Sequence, residues 1–227
     1  MTGETYSLLE NYMLSCMQDT THDREHIYRV LYQALEIAGQ EQGVDFDVLI
    51  AACLLHDIGR QEQFADPRLC HARVGAEKAY AFLMEHGFGE EYARRVSQCI
   101  LTHRYRRESQ PGSIEARILF DADKIDVVGA IGIARTLTYV GSMSEPLYSR
   151  REDGQISDGQ GDAQPSFFHE YKYKLEGLYD GFLTERGAQI ARGRRKAAAD
   201  FYNSMLLEVS ESSQKGRELL REYVGEE

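Results

Sequence analysis

The chain has 227 residues, 42% hydrophobic and 28% charged, which are ordinary values for a globular protein. Its formal net charge of −11 gives no support for binding to polymeric nucleic acid or to an anionic membrane. The first ten residues have no cationic start, and no apolar run approaches the roughly 18 to 20 residues of a membrane helix. The four cysteines lack CxxC spacing. These features predict a cytoplasmic protein with reduced thiols and no membrane partner.

Hydrophobic periodicity is helical along most of the chain. Residues 5–18 form a first short helix, and an apolar stripe predicts a second helix over 23–42 with Asp23 as its cap. Asp45 is the expected N-cap of a third, strongly apolar helix. Further helices are expected where helical spacing resumes after glycine and proline breaks, over 71–86, 90–105 and 113 to about 139. No segment alternates as a strand would, so the sequence predicts an all-α fold.

Residues 141–165 differ from the rest because they are polar and contain several glycines and prolines. A connection this long has two interpretations: a disordered surface loop, or a flexible flap over the functional site. C-terminal helices follow over 166–227, and the tail from Ser210 onward is expected to fray. A four-residue spacing predicts that the last helix packs on the body through Ala197, Phe201, Met205 and Val209. No boundary demands a second domain, so a single domain over 1–227 is expected.

The adjacent pair His56-Asp57 ends an apolar run over 48–55. Such a helix is normally buried, and an uncompensated carboxylate buried with it would be strongly unfavourable. A divalent ion would compensate Asp57 and use His56 as well. Successive side chains on a helix diverge by about 100°. Both residues can therefore reach one ion only at the helix end, where Gly59 lets the chain turn away.

Two further candidate ligands lie in the flanking helical segments. His26 faces inward because Val30, four residues later, belongs to the apolar stripe. The segment 121–126 places three aspartates and a lysine in an apolar helix, and spacing alone does not choose among Asp121, Asp123 and Asp126. Two imidazoles and two carboxylates suit Mn²⁺, Mg²⁺, Fe²⁺, Ni²⁺ or Zn²⁺. Each residue also has a plainer interpretation, a core histidine or a surface acid.

Three segments resemble the HD-domain metal-dependent phosphohydrolase superfamily. They read HDREHIYRV from His22, AACLLHDIG from Ala51, and DADKID with GAIGIAR from Asp121. The last segment is most similar to the small stand-alone bacterial branch that includes nucleotide pyrophosphohydrolases. The resemblance covers roughly residues 20–140 and extends loosely into the following helices. It implies an all-α HD-type helical bundle, a metal-binding core over 20–140, and metal ligands at His26, His56, Asp57 and Asp123.

The resemblance also gives roles to neighbouring residues. His71 and His103 fit accessory positions that bind a second metal in some branches and hold substrate phosphate or water in others, so one or two ions per chain remain open. Lys124 would contact phosphate, although an ion pair with a neighbouring aspartate is an equal alternative from the sequence. The residues alone, without the resemblance, suggest weaker candidates for steering an anionic substrate: Arg60, Arg104, Arg106 and Arg107. A solvated helix end is the favoured interpretation of the last three.

The expected activity is metal-assisted hydrolysis of a phosphate ester or anhydride. The ion would polarise a phosphoryl oxygen and lower the pKa of a bound water towards about 7. Asp57 or His103 would accept the proton of that water, and Lys124 and His71 would offset charge on the phosphoryl oxygens. The preferred substrate is a nucleoside triphosphate cleaved to monophosphate and pyrophosphate, and a monophosphate or cyclic nucleotide is also compatible. The rival interpretations are a di-iron HD-domain oxygenase and a non-catalytic nucleotide-binding helical domain.

Overall fold

A computed structural model describes residues 1–17, 24–104 and 110–224, and these residues contain helices but no β-strand. The all-α prediction is confirmed. None of the helices in this part of the chain is long and apolar enough to cross a membrane. In chain order the α-helices are α1 Gly3–Cys16, α2 Arg24–Ala38, α3 Phe46–Leu55, α4 Arg60–Ala65, α5 His71–Glu85, α6 Glu90–Thr102, α7 Ile114–Ile125, α8 Gly129–Ser142, α9 Phe167–Tyr173 and α10 Glu185–Val224, with a 3₁₀ helix at Leu175–Asp180 before α10.

Side-chain caps start several of these helices. The carboxylate of Asp45 accepts hydrogen bonds from the backbone N–H groups of Asp47 and Val48, which confirms Asp45 as the N-cap of α3. Hydroxyl groups do the same for α1, α7 and α9, from Thr2, Ser113 and Ser166. The expected cap Asp23 of α2 lies outside the described residues.

The chain divides into two compact units. Unit 1 contains Met1–Asp126 and the short segment Phe182–Ala188, and unit 2 contains Val127–Gly181 and the chain from Gln189 onward. The domain organisation expected from the sequence stays a prediction. It consists of a single domain over 1–227, with a core over 20–140 and C-terminal helices over 166–227.

Unit 1 is built around α3, whose apolar run is buried along almost its whole length. Helices α1, α2, α6 and α7 pack against it. The buried α3 side chains are Val48, Leu49, Ala51, Ala52, Cys53, Leu54 and Leu55. Because α3 is central, the residues at its carboxyl end lie where the ends of several neighbouring helices can reach them.

Unit 2 has its own hydrophobic cluster, in which Phe167 and Phe168 of α9 are completely buried against residues of α8 and α10. The segment 143–165 is irregular, with one isolated bridge between Arg150 and Ile156. The hydroxyl of Tyr202 donates to the carbonyl of Asp158 at 2.5 Å. The predicted irregular backbone is therefore present, and its role as a flexible flap stays a prediction.

Three details of the sequence-based helices are wrong. The single helix expected over 113–139 is two helices, because α7 ends before Asp126 and Gly129 adopts a φ of 69° that L-residues rarely take. Helix α4 was not expected. Helix α10 continues to Val224 instead of fraying from Ser210. Of the four residues expected to pack on the body, Met205 and Val209 contact the unit 2 cluster, whereas Ala197 and Phe201 are exposed and the neighbouring Ala198 and Tyr202 are buried.

Candidate metal centre

Six side chains from five helix ends converge in unit 1. His26 lies in the first turn of α2, and His71 is the first residue of α5. His56 and His103 are the residues that follow the last turns of α3 and α6. Asp57 comes directly after His56, and Asp123 lies in the last turn of α7. The structure therefore brings together all the residues that the sequence nominated as metal ligands or accessory histidines.

The hydrogen bonds of the four imidazoles fix their tautomers. The Nδ1–H groups of His56 and His103 donate to the backbone carbonyls of Cys53 and Ile100, at 2.7 and 2.6 Å. Since a carbonyl oxygen only accepts, Nδ1 must carry the proton in both rings. Nε2 is then left with a lone pair directed into the cluster.

His71 and His26 have the same tautomer for similar reasons. The side-chain amide of Gln63 donates to the carbonyl of Leu69, so its oxygen faces His71 and accepts from Nδ1–H at 2.6 Å. His26 donates its Nδ1–H to Asp126 at 2.7 Å. The Nε2 atoms of all four rings therefore face the interior of the cluster.

We define the first group as His26, His56 and Asp123. The Nε2 atom of His26 lies 3.3 Å from that of His56 and 3.2 Å from Oδ1 of Asp123. The side chain of Asp123 is 23% exposed, whereas those of His26 and His56 are at most 5% exposed. Solvent therefore reaches the first group on the Asp123 side.

We define the second group as Asp57, His71 and His103. The Nε2 atoms of His71 and His103 are 3.3 Å apart, and they lie 3.4 and 3.7 Å from Oδ1 of Asp57. The other oxygen of Asp57, Oδ2, lies 3.5 Å from Nε2 of His26 and 3.7 Å from Nε2 of His56. Asp57 therefore presents one oxygen to each group.

The donors of the first group, together with Oδ2 of Asp57, fit a divalent metal ion. Metal–ligand bonds of 2.0–2.2 Å place neighbouring ligand atoms about 3.0–3.4 Å apart. The shortest separations of 3.2 and 3.3 Å agree with this spacing, and the ligand types agree with the imidazole and carboxylate preferences of Mn²⁺, Fe²⁺ and Zn²⁺. Two carboxylates supply the negative charge that such an ion needs.

The electrostatics of the cluster agree with this fit. Burial lowers the pKa of His26, but its hydrogen bonds with Asp123, Asp126 and Asp57 outweigh burial and raise that pKa to about 10. Without an ion, the first group thus holds a proton strongly, which reflects its demand for positive charge. Burial lowers the pKa of His56 to about 4 and that of His71 to about 3, so both rings are neutral near pH 7 and available as lone-pair donors.

Both carboxylates stay ionised despite their burial. Burial raises the pKa of Asp57, but the facing histidines and Arg60 hold it well below its usual range. Hydrogen bonding with His26 has the same effect on the pKa of Asp123. Each aspartate is therefore an anionic ligand at any physiological pH.

A pair that sequence reasoning missed supports His26 from behind. Asp126 is 2% exposed and accepts the His26 hydrogen bond on Oδ2. Arg29 holds the same carboxylate through Nε at 2.6 Å and Nη2 at 3.0 Å. A carboxylate behind a histidine fixes the ring and increases its basicity as a ligand. The sequence signal was the position of Arg29, three residues after His26 on the same face of α2.

The second group is positioned by close contact between the backbone of the turn after Asp57 and the backbone at the start of α5. A Cβ atom on Gly59 would lie 2.4 Å from the carbonyl oxygen of His71 and 2.6 Å from the backbone nitrogen of Gly75. The turn after Asp57 can therefore contact the start of α5 only with glycine at this position. Arg60 follows, and its Nε donates to Oδ1 of Asp57 at 2.9 Å.

The three aspartates of α7 and its end have different partners. Asp121 accepts hydrogen bonds from the backbone of Leu183 and from both the N–H and hydroxyl of Thr184. Asp126 faces His26 and Arg29, and Asp123 alone enters the metal-binding groups. The choice of Asp123, which the family resemblance made, therefore agrees with the geometry.

The basic candidates are only partly described. The ammonium group of Lys124 lies over the rings of Phe182 and Phe120, 4.9 and 5.7 Å from their centroids. Arg104 follows His103 and is half-buried, and its charge contributes to the lowered pKa of His71. Arg106 and Arg107, the other members of the predicted basic patch, lie outside the described residues.

Comparison with known proteins agrees with this geometry. The family model of the HD domain matches residues 24–128. The chain is 28% identical over 193 residues to the uncharacterised protein YpgQ of Bacillus subtilis strain 168, covering 83% of this chain and 84% of YpgQ.

Solved structures extend the similarity. The crystal structure of Bacillus subtilis YpgQ in complex with ADP matches with a TM-score of 0.68 and 26% identity, over 90% of this chain and 95% of YpgQ. An HD-superfamily hydrolase from Bacillus thuringiensis matches with a TM-score of 0.68 and 27% identity, over 90% and 96% of the two chains. A protein described as a predicted HD superfamily hydrolase, from an uncultured Thermotogales bacterium, matches with a TM-score of 0.59 and 28% identity, over 88% of this chain and 90% of that chain. Residues 24–128 of this chain therefore match the HD-domain family model, and this range contains His26, His56, Asp57 and Asp123.

Proposed function

We propose that this protein is a metal-dependent phosphohydrolase that acts on a small nucleotide. The observation that carries the proposal is the convergence of four Nε2 atoms and two ionised carboxylates in one buried cluster. The HD-superfamily hydrolases with the same fold support hydrolysis as the reaction, and the ADP bound to YpgQ supports a nucleotide as the ligand. The preferred reaction is cleavage of a nucleoside triphosphate to monophosphate and pyrophosphate.

The residues proposed to hold the ion are His26, His56, Asp57 and Asp123. When bound, a divalent ion polarises a phosphoryl oxygen and makes a coordinated water more acidic. Asp57, or His103 through its Nε2 lone pair, accepts the proton of the attacking water. His71 lies 3.3 Å from His103 and helps to hold that water in place.

The substrate phosphate needs cationic or N–H partners. Lys124, beside the ligand Asp123, is the proposed phosphate contact because its ammonium group only donates. His71 and His103 present acceptors in their neutral form, since both Nδ1–H groups are already used. Their proposed contact with a phosphate oxygen therefore requires a proton on Nε2, whereas contact with water does not.

The test is a product analysis with defined metals. The protein is loaded separately with Mn²⁺, Mg²⁺ or Fe²⁺ and incubated with nucleoside triphosphates, monophosphates, cyclic nucleotides and simple phosphoesters. Pyrophosphate release from triphosphates is the expected result. Orthophosphate from monophosphates alone would move the activity to a nucleotidase. Oxygen consumption with two tightly bound irons, or nucleotide binding without turnover, would overturn the hydrolase proposal.

Asp57→Ala gives the strongest variant test. It removes the carboxylate that faces both groups, so we expect turnover to be abolished and Mn²⁺ affinity to fall by more than about 100-fold. The matched control is Asp66→Ala, which removes an aspartate paired with the exposed Arg68. Asp66→Ala should retain full turnover. Substantial turnover by Asp57→Ala would mean that the reaction takes place elsewhere.

A further inference from the structure

The two groups look alike by distance but differ in charge. The first group contains Asp123 as a carboxylate of its own and also faces Oδ2 of Asp57. The second group has only Oδ1 of Asp57, and its other members, the imidazoles of His71 and His103, supply no negative charge. A second divalent ion would therefore have to be balanced by a carboxylate that already balances the first.

Arg60 compensates the negative charge on the Asp57 oxygen that faces the second group. Its guanidinium donates from Nε to Oδ1 of Asp57 at 2.9 Å, which is shorter than the distance from Oδ1 to either histidine of the second group. A charge-assisted hydrogen bond of this length is a strong one. The oxygen that a bridging carboxylate would give to a second ion is thus already bound to a fixed positive charge.

The local backbone holds Arg60 in position for this contact. Arg60 is the first residue of α4, three residues after Asp57, and its backbone N–H donates to the carbonyl of Asp57 at 3.0 Å. The close packing of Gly59 against the start of α5 holds the same turn in place. Arg60 therefore reaches Oδ1 from its own turn without any movement of α5 or α6.

The charges around the cluster then favour a single ion. Asp57 and Asp123 carry two negative charges, and Arg60 returns one positive charge at hydrogen-bond distance. Asp126 is balanced separately by Arg29. One divalent ion leaves the centre with a net positive charge that suits an anionic substrate, whereas a second would place two further positive charges beside Arg60.

We propose that Arg60 restricts this centre to one divalent ion, held by the first group and Oδ2 of Asp57, and leaves His71 and His103 to bind water. The inference rests on the proposed metal site. It makes Arg60 the residue that determines metal stoichiometry in a cluster whose ligand types and distances would otherwise accept two ions.

The experiment counts Mn²⁺ ions on the full-length protein. The metal-free protein is titrated with Mn²⁺, bound metal is measured by equilibrium dialysis, and electron paramagnetic resonance detects spin coupling between neighbouring ions. The wild type should bind one uncoupled Mn²⁺ per chain. Arg60→Met, which keeps the aliphatic part of the side chain, should bind two ions with a coupled signal.

Two further variants make the result specific. Arg60→Lys keeps the positive charge and should remain at one ion. Arg60→Met combined with His103→Ala should return from two ions to one, because the second group is then incomplete. An Arg60→Met protein that still binds one ion would overturn the proposal, as would a wild type that binds two.

The outcomes separate this inference from the metal site itself. A wild type that binds no Mn²⁺ would contradict the proposed function, whereas two ions would contradict only the role of Arg60. If Arg60→Met does not fold, Arg60→Gln removes the same charge while keeping a polar side chain, and it should bind two ions; a single ion would overturn the proposal. Separately, His71→Ala should keep one Mn²⁺ with unchanged affinity, and loss of that ion would show that the second group is where the metal binds.

Discussion

The first and second groups of the cluster have similar distances but different surroundings. In the first group, His26 is backed by the carboxylate of Asp126, and Asp123 adds a charge of its own. In the second group, His71 and His103 are backed by neutral oxygens of Gln63 and Ile100. Ligand spacing alone therefore does not identify a cation site. The charge behind and beside the ligands decides how strongly each group attracts an ion.

Among the differences between the two groups, the largest expected effect comes from Asp126, which lies behind His26 of the first group. Asp126→Asn should weaken Mn²⁺ binding by about 10–100-fold, because His26 loses its charged partner. Isothermal titration of the metal-free protein measures this change directly. The matched control is Asp121→Asn, the same change in α7 at a carboxylate that binds Leu183 and Thr184. Equal Mn²⁺ affinities for the two variants would remove the distinction between the groups.

A smaller effect, on protein stability, should arise from the backbone contact between Gly59 and the start of α5. Gly59→Ala should destabilise the protein by about 1–3 kcal/mol, because the new methyl group overlaps the carbonyl of His71. Equilibrium unfolding in urea measures this loss. The control Gly193→Ala adds a methyl group within α10 where nothing lies within 4 Å, and it should stabilise by about 0.5–1 kcal/mol. An unchanged stability of Gly59→Ala would contradict the close approach of the turn to α5.

The smallest expected effect is on the free energy of unfolding. It concerns an arginine that pairs with carboxylates, as Arg60 pairs with Asp57 in the second group. Arg95 donates to Asp45 at 2.8 Å and to the buried Glu115 at 3.3 Å. Burial raises the pKa of Asp45, but the N–H of Val48 and Arg95 hold it below the usual value. The pKa of Glu115 is also lowered, since the N–H of Asp45 outweighs its burial.

The sign of the pH effect follows from these lowered pKa values. The unfolded chain binds protons at pKa values of about 3.9 and 4.3, above those of the folded protein. The contribution of this pair is therefore present above about pH 5 and is lost as the pH falls through the folded-state pKa values. Arg95→Met should lower the free energy of unfolding at pH 7 by less than about 1 kcal/mol, given the exposure of Arg95, and should flatten the acid dependence. Arg94→Met, at an exposed ion pair with Glu90, is the matched control and should change neither quantity.

Much of the fold was predictable because helical periodicity is a local property. The apolar stripe of α2, the cap at Asp45 and the buried α3 followed from residues close together in sequence. The break after Asp126 was missed because 113–139 keeps helical spacing through it, whereas the extended backbone of Val128 and the positive φ of Gly129 separate α7 from α8. The packing face of α10 was predicted correctly at Met205 and Val209, but Ala198 and Tyr202 are buried instead of Ala197 and Phe201, because packing in unit 2 selects between adjacent residues of similar character.

The candidate ligand types, and the helix ends that carry them, were predictable from the sequence. His56 and Asp57 end an apolar helix, and His26 lies on an inward face, so chemistry and periodicity nominate them without any structure. The orientation of Asp57, with one oxygen facing each group, and the partners of Asp121 and Asp126 are visible only in the tertiary structure. The physical reason is distance along the chain. His26 and Asp126 are 100 residues apart, and only the packing of α2 against α7 brings them within 2.7 Å.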